Sequence, residues 1–266
     1  MLHALGRSSE QRAWLLAHGD EQLSDKEHAC FEDLVKKRLN HMPLSYLTGH
    51  KEFYGLKLRI DPRVLDPRAD TETLVDWALE RLKDNPPHAR GQDRHVLDMG
   101  TGSGAIALAL KAHCPECTLW ALDKSQEALA LAKQNAQDLA LELHFLHGHW
   151  FDALRPVGEV GAGKKFDLIV SNPPYIAPKD PHLAHLIHEP REALVAQNEG
   201  LSDLIEICKQ SVLHLQPGAW LLLEHGHDQG PQVREILAGL GFGFVQTRHD
   251  LAGIERCTGA QWPKMK

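Results

Sequence analysis

The spacing of apolar residues from position 95 onward alternates between two patterns. Short continuous apolar runs are typical of strands buried on both faces of a sheet, and longer amphipathic stretches between them are typical of helices. The strands are predicted near residues 95–99, 118–123, 143–147, 166–171, 218–224, 242–248 and 254–259, and the helices near 104–112, 125–140, 202–214 and 228–239. This alternation predicts an α/β fold: a doubly wound, mainly parallel seven-stranded sheet with an antiparallel hairpin at one edge.

The first ninety residues follow a different pattern. Residues 1–45 have helical periodicity, and Ser24 with Glu27 forms the capping-box pattern of a helix start. Alternating apolar residues over 53–60 predict a short hairpin, and the spacing over 71–82 predicts a helix. The predicted division is a small helical substrate-docking region over 1–45, a hairpin-and-helix linker over 46–90 that ends in a loop near 85–91, and the main domain over 91–266.

A glycine-rich segment follows the first strand of the predicted sheet. Gly100, Gly102 and Gly104 let the backbone turn tightly and approach a ligand, and the helix that begins after them offers free N–H groups to an anion. Asp123 ends the next strand, where it can accept hydrogen bonds from ribose hydroxyls. Because Gly100, Gly102 and Ala105 also fit the loose dinucleotide fingerprint, NAD binding is an alternative on this segment alone.

The tetrapeptide Asn172-Pro173-Pro174-Tyr175 follows the fourth predicted strand. Its two prolines fix φ and lack N–H groups, so the turn is stiff and its carbonyls are free to accept hydrogen bonds. Asn172 adds a side-chain acceptor and Tyr175 adds a flat ring, which together predict a rigid cradle for a planar –NH2 group. A plain proline-rich turn explains the tetrapeptide equally well by itself. Together with the glycine loop and Asp123, it favours S-adenosylmethionine over NAD.

Composition narrows the class of function. The net charge of −7 and the pI near 6.2 argue against a protein whose affinity rests on neutralising many phosphates. The chain has no apolar run of membrane-spanning length and no signal-peptide pattern, so we expect a soluble cytoplasmic protein without a membrane partner. Five cysteines without secreted-type spacing predict reduced thiols. No metal is predicted, because the CxxC motif at 114–117 lacks a second pair and the histidines lack partners at metal spacing.

With these motifs the chain resembles a known family. Its core is similar to class I S-adenosylmethionine-dependent methyltransferases. More closely, it resembles the protein-(glutamine-N5) methyltransferases that modify peptide chain release factors. The matching segments are residues 43–49, 52–56, 67–68, 70–72, 100–104, 150–151, 171–175, 189–190 and 221–226. The Asn-Pro-Pro-Tyr motif alone is shared with amino-methylating DNA enzymes.

The resemblance implies S-adenosyl-L-methionine as methyl donor and S-adenosyl-L-homocysteine as product. The cofactor contacts it implies are Gly100, Thr101, Gly102, Ser103, Gly104, Asp123, Trp150, Phe151 and Asn172. The acceptor glutamine is expected to be held by Asn172, Pro173, Pro174 and Tyr175, of which Asn172, Pro173 and Tyr175 are the expected catalytic residues. The Asn172 side chain and the Pro173 carbonyl would hold the two amide hydrogens, so that the nitrogen lone pair points at the methyl group.

Three features depart from the family pattern. The helical region before the segment at 43–49 is shorter than usual, so we expect an incomplete docking region. Asp66 stands where an apolar residue is usual, and His149 stands where an acidic residue is common. We expect both substitutions to weaken binding without removing a motif residue.

The leading hypothesis is methylation of the glutamine in the Gly-Gly-Gln loop of a release factor by a monomeric enzyme. Glutamine methylation of a ribosomal protein stays open, because the sister family that carries it out shares the core. A DNA adenine-N6 methyltransferase would need base flipping and a basic channel, which the charge disfavours. The alternative from another class is a non-catalytic cofactor-binding protein with impaired docking. Retention of both the glycine loop and the Asn-Pro-Pro-Tyr motif argues against it.

Overall fold

The structure is a computed structural model that describes residues 1–7, 11–84, 93–154 and 163–264. The predicted loop near 85–91 lies outside these ranges. The described helices are α1 (Arg12–Ala17), α2 (Asp25–Leu39), α3 (Leu44–Thr48), α4 (Glu72–Asp84), α5 (Ala105–His113), α6 (Gln126–Asp138), α7 (Ser202–Ser211) and α8 (Gly230–Gly239). The strands are β1 (His50–Phe53), β2 (Leu56–Arg59), β3 (His95–Met99), β4 (Thr118–Asp123), β5 (His144–His147), β6 (Phe166–Ser171), β7 (Leu215–Glu224), β8 (Gly243–His249) and β9 (Glu255–Gln261).

Strands β3 to β9 form one seven-stranded sheet in the order β5-β4-β3-β6-β7-β9-β8. The first five strands in this order are parallel, and β9 runs antiparallel to both β7 and β8. The predicted fold class and the edge hairpin are therefore confirmed. The chain adds β4 and β5 on one side of β3 and then β6 and β7 on the other. The crevice above β3 and β6 is thus the topological switch point, where ligands bind in such sheets.

Two apolar layers cover the sheet and explain the continuous apolar runs. Val96 of β3 packs in the cluster that contains residues of α4, α5 and α6, whereas its neighbour Leu97 packs in the cluster with α7 and α8. Both side chains are fully buried although they point to opposite faces. A strand covered on both faces has no polar side to alternate, so its sequence is apolar throughout. No helix within the described residues is long and apolar enough to cross a membrane.

The N-terminal elements also follow their predicted signals. The capping box is present: Ser24 Oγ accepts from the Glu27 amide at 3.3 Å, and Glu27 Oε2 accepts from the Ser24 amide at 2.9 Å. Helix α2, which this box begins, buries none of its residues. The predicted hairpin is β1 and β2, paired antiparallel. The helix predicted from residue 71 is preceded by a 3-10 turn over Ala69–Thr71, so Thr71 lies in the turn rather than in the helix.

One cysteine prediction is wrong. Cys114 and Cys117 are joined in a disulfide, whereas we expected reduced thiols. Their Cα atoms are 5.6 Å apart, within the range that a disulfide requires, because the motif forms the tight connection between α5 and β4. With Glu116 they are the one group of three potential metal ligands found within the described residues.

A buried asparagine joins the hairpin to the main domain. Asn135 of α6 accepts from the Arg59 amide at 2.7 Å and donates to the Arg59 carbonyl at 3.1 Å. It also donates to the carbonyl of Ser103, in the glycine loop, at 2.9 Å. Asn135 is 1% exposed, so its amide forms these bonds shielded from water. Asn135 therefore holds β2 and the glycine loop in one arrangement, and nothing in the periodicity of the sequence pointed to it.

We predict that Asn135→Ala lowers the free energy of unfolding by about 2 to 4 kcal/mol, because the buried Ser103 carbonyl and the half-buried backbone groups of Arg59 lose their partner. Urea unfolding of the variant measures this loss. Gln134→Ala on the exposed side of the same helix is the matched control, for which we expect a change within about 0.5 kcal/mol. Equal effects of the two substitutions would contradict the role given to Asn135.

Candidate active site

A cavity of about 670 Å³ lies at the carboxyl ends of the central strands. The predicted site residues on its wall are Gly100, Gly102, Asp123, Trp150, Asn172 and Pro174. They come from the ends of three neighbouring strands, β3, β4 and β6, and from the 3-10 turn that follows β5. The structure thus brings together residues that are up to 74 positions apart, from 100 to 174. The carboxyl ends of neighbouring parallel strands are where ligands bind in open α/β sheets.

The glycine loop has the backbone conformation that its glycines permit. Gly100 has a φ of +73°, and a Cβ atom there would stand 3.5 Å from the Trp150 ring. The amides of Gly100 and Thr101 both donate to the Leu122 carbonyl at 2.9 Å. The Asp123 carboxylate accepts from the Gly102 amide at 2.8 Å and from the Ser125 amide at 2.9 Å. The end of β4 therefore holds the loop closed over the end of β3.

Asp123 is one of the two described acidic residues that line the cavity, together with Glu192. Burial raises its pKa, while the N–H groups of Ser125 and Gly102 act in the opposite direction. Its carboxylate oxygens are thus oriented by backbone donors, and they retain acceptor capacity for the hydroxyls of a ligand. This arrangement suits a ribose, which presents two adjacent hydroxyls.

Three of the expected cofactor residues do not line the first cavity. Thr101 donates from Oγ1 to Asp98 Oδ2 at 2.6 Å, and Ser103 is 3% exposed and bonds through its carbonyl to Asn135. Gly104 is the left-handed residue before α5, with a φ of +84°, and a Cβ atom there would stand 3.1 Å from Leu108 Cδ1 and 3.3 Å from Ala132 Cβ. None of the three is part of the cavity lining, so their placement supports a role in shaping the loop.

Trp150 and Phe151 face different surroundings. Trp150 lines the cavity and donates from Nε1 to Asp203 Oδ1 at 3.1 Å. Phe151 is fully buried, stacks on His214 with 4.6 Å between ring centroids, and does not line the cavity. The two residues are consecutive in the 3-10 turn over Trp150–Leu154, which turns one ring toward the cavity and the other into the core. Phe151 therefore packs in the core, and its expected cofactor contact stays a prediction.

Asn172 stands between two cavities. A second cavity of about 680 Å³ is lined by Pro173 and Tyr175, and it shares Asn172 with the first. Tyr175 donates from its hydroxyl to Glu224 Oε1 at 3.2 Å, and its backbone carbonyl accepts from Gln229 Nε2 at 3.0 Å. The motif is thus clamped from behind at its last residue, while its first residue faces both cavities.

Two polar residues behind the motif carry roles that the sequence did not predict. Asn172 Nδ2 donates to Thr71 Oγ1 at 3.2 Å, from a residue 101 positions away in the chain. Glu224 is 1% exposed at the end of β7, and burial raises its pKa to about 7. Both lie in segments that match the family, at 70–72 and 221–226, but no pattern in those segments indicated which side chains would meet.

The departures from the family pattern occupy different places. Asp66 lies outside both cavity linings, and its Oδ2 is paired with Lys51 Nζ at 3.3 Å and lies 3.7 Å from Arg68 Nη1. Arg68 lines the second cavity and forms a 2.6 Å ion pair with the buried Glu189. His149 lines the first cavity, with Nδ1 3.9 Å from Glu206 Oε1.

The Asp98 carboxyl makes the stability of the folded protein depend on pH. It is fully buried below the glycine loop, and burial raises its pKa to about 7. In the unfolded chain this carboxyl ionises near pH 4. Between these two values the unfolded state binds fewer protons than the folded state, so the contribution of Asp98 to stability declines as the pH rises from about 4 to 7.

We predict that Asp98→Asn becomes more stable relative to the wild type as the pH rises from 5 to 8, by on the order of 2 kcal/mol. Asparagine does not titrate, and other buried groups such as Glu224 titrate equally in both proteins and cancel from the difference. Urea unfolding of both proteins at the two pH values measures it. A difference that is independent of pH would show that Asp98 is ionised in the folded protein throughout this range.

Comparison with known proteins agrees with this geometry. Residues 72–200 match the methyltransferase small domain family, and residues 1–49 match the PrmC N-terminal domain family. The chain is similar in structure to the Thermus thermophilus 16S rRNA N2 G1207 methyltransferase solved with AdoMet and guanosine, with a TM-score of 0.57 at 20% identity over 80% of this chain and 49% of that one. This likeness supports the fold.

Two relatives that are similar in sequence identify the family more closely. The release factor glutamine methyltransferase of Escherichia coli (strain K12) is 42% identical over 259 residues, which cover 96% of this chain and 87% of the relative. That of Bordetella pertussis (strain Tohama I) is 44% identical over 259 residues, which cover 97% of this chain and 90% of the relative. The chain belongs to the release factor glutamine methyltransferases, a family of S-adenosylmethionine-dependent enzymes.

Proposed function

We propose that this protein transfers a methyl group from S-adenosylmethionine to the side-chain amide nitrogen, N5, of the glutamine in the Gly-Gly-Gln motif of peptide chain release factors. The observation that carries the proposal is the position of Asn172, on the wall of both cavities. A residue in that place can contact a donor on one side and an acceptor on the other. The proposed site of action is the cytoplasm, where release factors meet the ribosome, and the proposed active form is a monomer.

The first cavity fits S-adenosylmethionine. Its wall combines apolar side chains with a few polar groups, as is usual in small-molecule sites. Asp123 would hold the ribose hydroxyls, and Trp150 with Leu122 and Ala128 offers an apolar wall for the adenine. The amides of Gly100, Thr101 and Gly102 are already bonded within the protein, so the N–H groups at the start of α5 would be the ones to face the methionine carboxylate. When bound, the cofactor supplies an electrophilic methyl group on a positively charged sulfur.

The second cavity fits the acceptor side chain. A glutamine amide nitrogen is a weak nucleophile, because its lone pair is delocalised into the carbonyl. The side-chain oxygen of Asn172 and the carbonyl of Pro173 would accept its two N–H hydrogens, and Tyr175 would supply a flat apolar face; all three residues line this cavity. Held in this way, the nitrogen presents its lone pair along the line to the methyl group, and one hydrogen leaves to solvent as a proton. Positioning rather than a strong base accounts for the rate.

The direct test is methyl transfer from labelled S-adenosylmethionine to purified release factor. A factor with Gln→Ala in its Gly-Gly-Gln motif, a ribosomal protein and DNA serve as parallel acceptors. We expect label on the wild-type factor alone. Label on the ribosomal protein or on DNA, with none on the factor, would replace the proposed function by one of the other acceptor classes.

We predict that Asn172→Ala and Asp123→Ala separate the two halves of the site. The first variant should lose methyl transfer by at least about 100-fold while the Kd for S-adenosylmethionine stays within about threefold, because the glycine loop and Asp123 remain. The second should weaken cofactor binding by about tenfold or more, since it removes the ribose acceptor. Calorimetry and single-turnover transfer measure the two quantities. Parallel loss of both quantities in Asn172→Ala would refute this division of roles.

A further inference from the structure

The Asn172 side chain has two different ends, and only one of them can serve the proposed acceptor. A primary amide presents an oxygen that accepts and a nitrogen that donates. The glutamine –NH2 is itself a donor toward Asn172, so it needs the oxygen. If the amide were rotated by half a turn, two N–H2 groups would face each other. Some neighbouring group must therefore fix which end of Asn172 faces the acceptor.

Thr71 is the group that contacts the other end. Its Oγ1 accepts from Asn172 Nδ2 at 3.2 Å, and the Thr71 residue is 3% exposed. A hydroxyl oxygen that receives this hydrogen leaves Asn172 Oδ1 for the side of the amide away from Thr71. Thr71 itself is held in the 3-10 turn that leads into α4, so the acceptor is carried by rigid structure rather than by a free loop.

The Thr71 hydroxyl can also donate a hydrogen bond. If it donated to Asn172, it would attract the Asn172 side-chain oxygen and turn the –NH2 group toward the acceptor glutamine. The buried Glu224 carboxylate offers an acceptor for that hydrogen. Its Oε1 accepts from the Tyr175 hydroxyl at 3.2 Å, and its Oε2 is buried without a partner among the described residues. If Oε2 takes the Thr71 hydrogen, the Thr71 oxygen is left to accept from Asn172. The lowering effect of the Thr71 hydroxyl on the Glu224 pKa agrees with this direction.

We propose that Thr71 and Glu224 are positioning residues that orient the Asn172 amide, so that its Oδ1 faces the acceptor glutamine. The proposal rests on the proposed function for its substrate. Glu224 accepts the Thr71 hydrogen, Thr71 accepts the Asn172 hydrogen, and Asn172 accepts the glutamine hydrogen, with every donor pointing the same way. The Tyr175 hydroxyl donates to the same carboxylate, so one buried acid sets both ends of the Asn-Pro-Pro-Tyr motif.

A pair of substitutions at Thr71 tests the first link. Thr71→Val removes the hydroxyl and keeps the branched shape, whereas Thr71→Ser keeps the hydroxyl. We expect Thr71→Val to lower kcat for release factor methylation by about 10- to 100-fold, with the Kd for S-adenosylmethionine within about twofold of the wild type. Thr71→Ser should recover most of the rate. Wild-type kcat in Thr71→Val, or a loss that Thr71→Ser shares, would overturn the proposal.

Glu224→Gln tests the second link and separates positioning from stability. It removes a buried charge while keeping the size, so the Tm should stay equal or rise, whereas kcat should fall by about tenfold or more. A lower Tm with kcat reduced only in proportion to folded protein would assign Glu224 a structural role and overturn the proposal. So would an unchanged kcat.

Solvent exchange of the Asn172 side chain tests its orientation without relying on catalysis, and so separately from the proposed function. The Asn172 side-chain N–H2 signals in the NMR spectrum, identified by their absence in Asn172→Ala, should exchange with solvent more slowly in the wild type than in Thr71→Val. Equal exchange in the two proteins would overturn the orientation by Thr71, whatever the substrate. Failure of the wild type to label release factor, with the exchange difference intact, would instead refute the proposed function alone.

Discussion

The parallel pairing of β3 with β6 is the contact on which the site depends. Met99 and Ser171 are direct partners in this pairing, and Ser171 Oγ donates to the Met99 carbonyl at 2.7 Å. The next residue on each strand is Gly100 on one side and Asn172 on the other. The register of two buried strands therefore sets how far the glycine loop stands from the Asn-Pro-Pro-Tyr motif. A slip of one residue would turn every side chain of one strand to the other face and separate the two halves of the site.

Around this pairing, the site is held by carboxylates that water cannot reach freely. Asp98 lies under the glycine loop, Asp123 at its side and Glu224 behind the second motif, and burial raises the pKa of each. Burying a carboxyl costs free energy unless hydrogen bonds offset it. Each of the three receives hydrogen bonds from the segments that form the cavities. The protein thus gives up some stability to orient backbone amides and hydroxyls, which is expected where geometry limits a reaction.

The sheet could be predicted because its strands are buried on both faces. Strands of this kind have continuous runs of apolar residues, which are visible in the sequence. The residues at strand ends, such as Gly100 and Asn172, could be placed for the same reason. Thr71 could not, because its contact with Asn172 depends on where a turn 101 positions away meets the sheet. Phe151 follows Trp150 in sequence, yet the 3-10 turn sends it into the core. Local patterns do not record such directions, nor the disulfide geometry of Cys114 and Cys117.

In the proposed reaction the methyl group is delivered to one nitrogen, the N5 of a glutamine held against Asn172. Tandem mass spectrometry of a release factor after reaction with this protein and S-adenosylmethionine tests it most directly, because fragment masses assign the added methyl group to a single residue and side chain. We expect one methyl group on the side-chain amide of the Gly-Gly-Gln glutamine and none elsewhere. A methyl group on a lysine, on a chain terminus or on any other glutamine would contradict it.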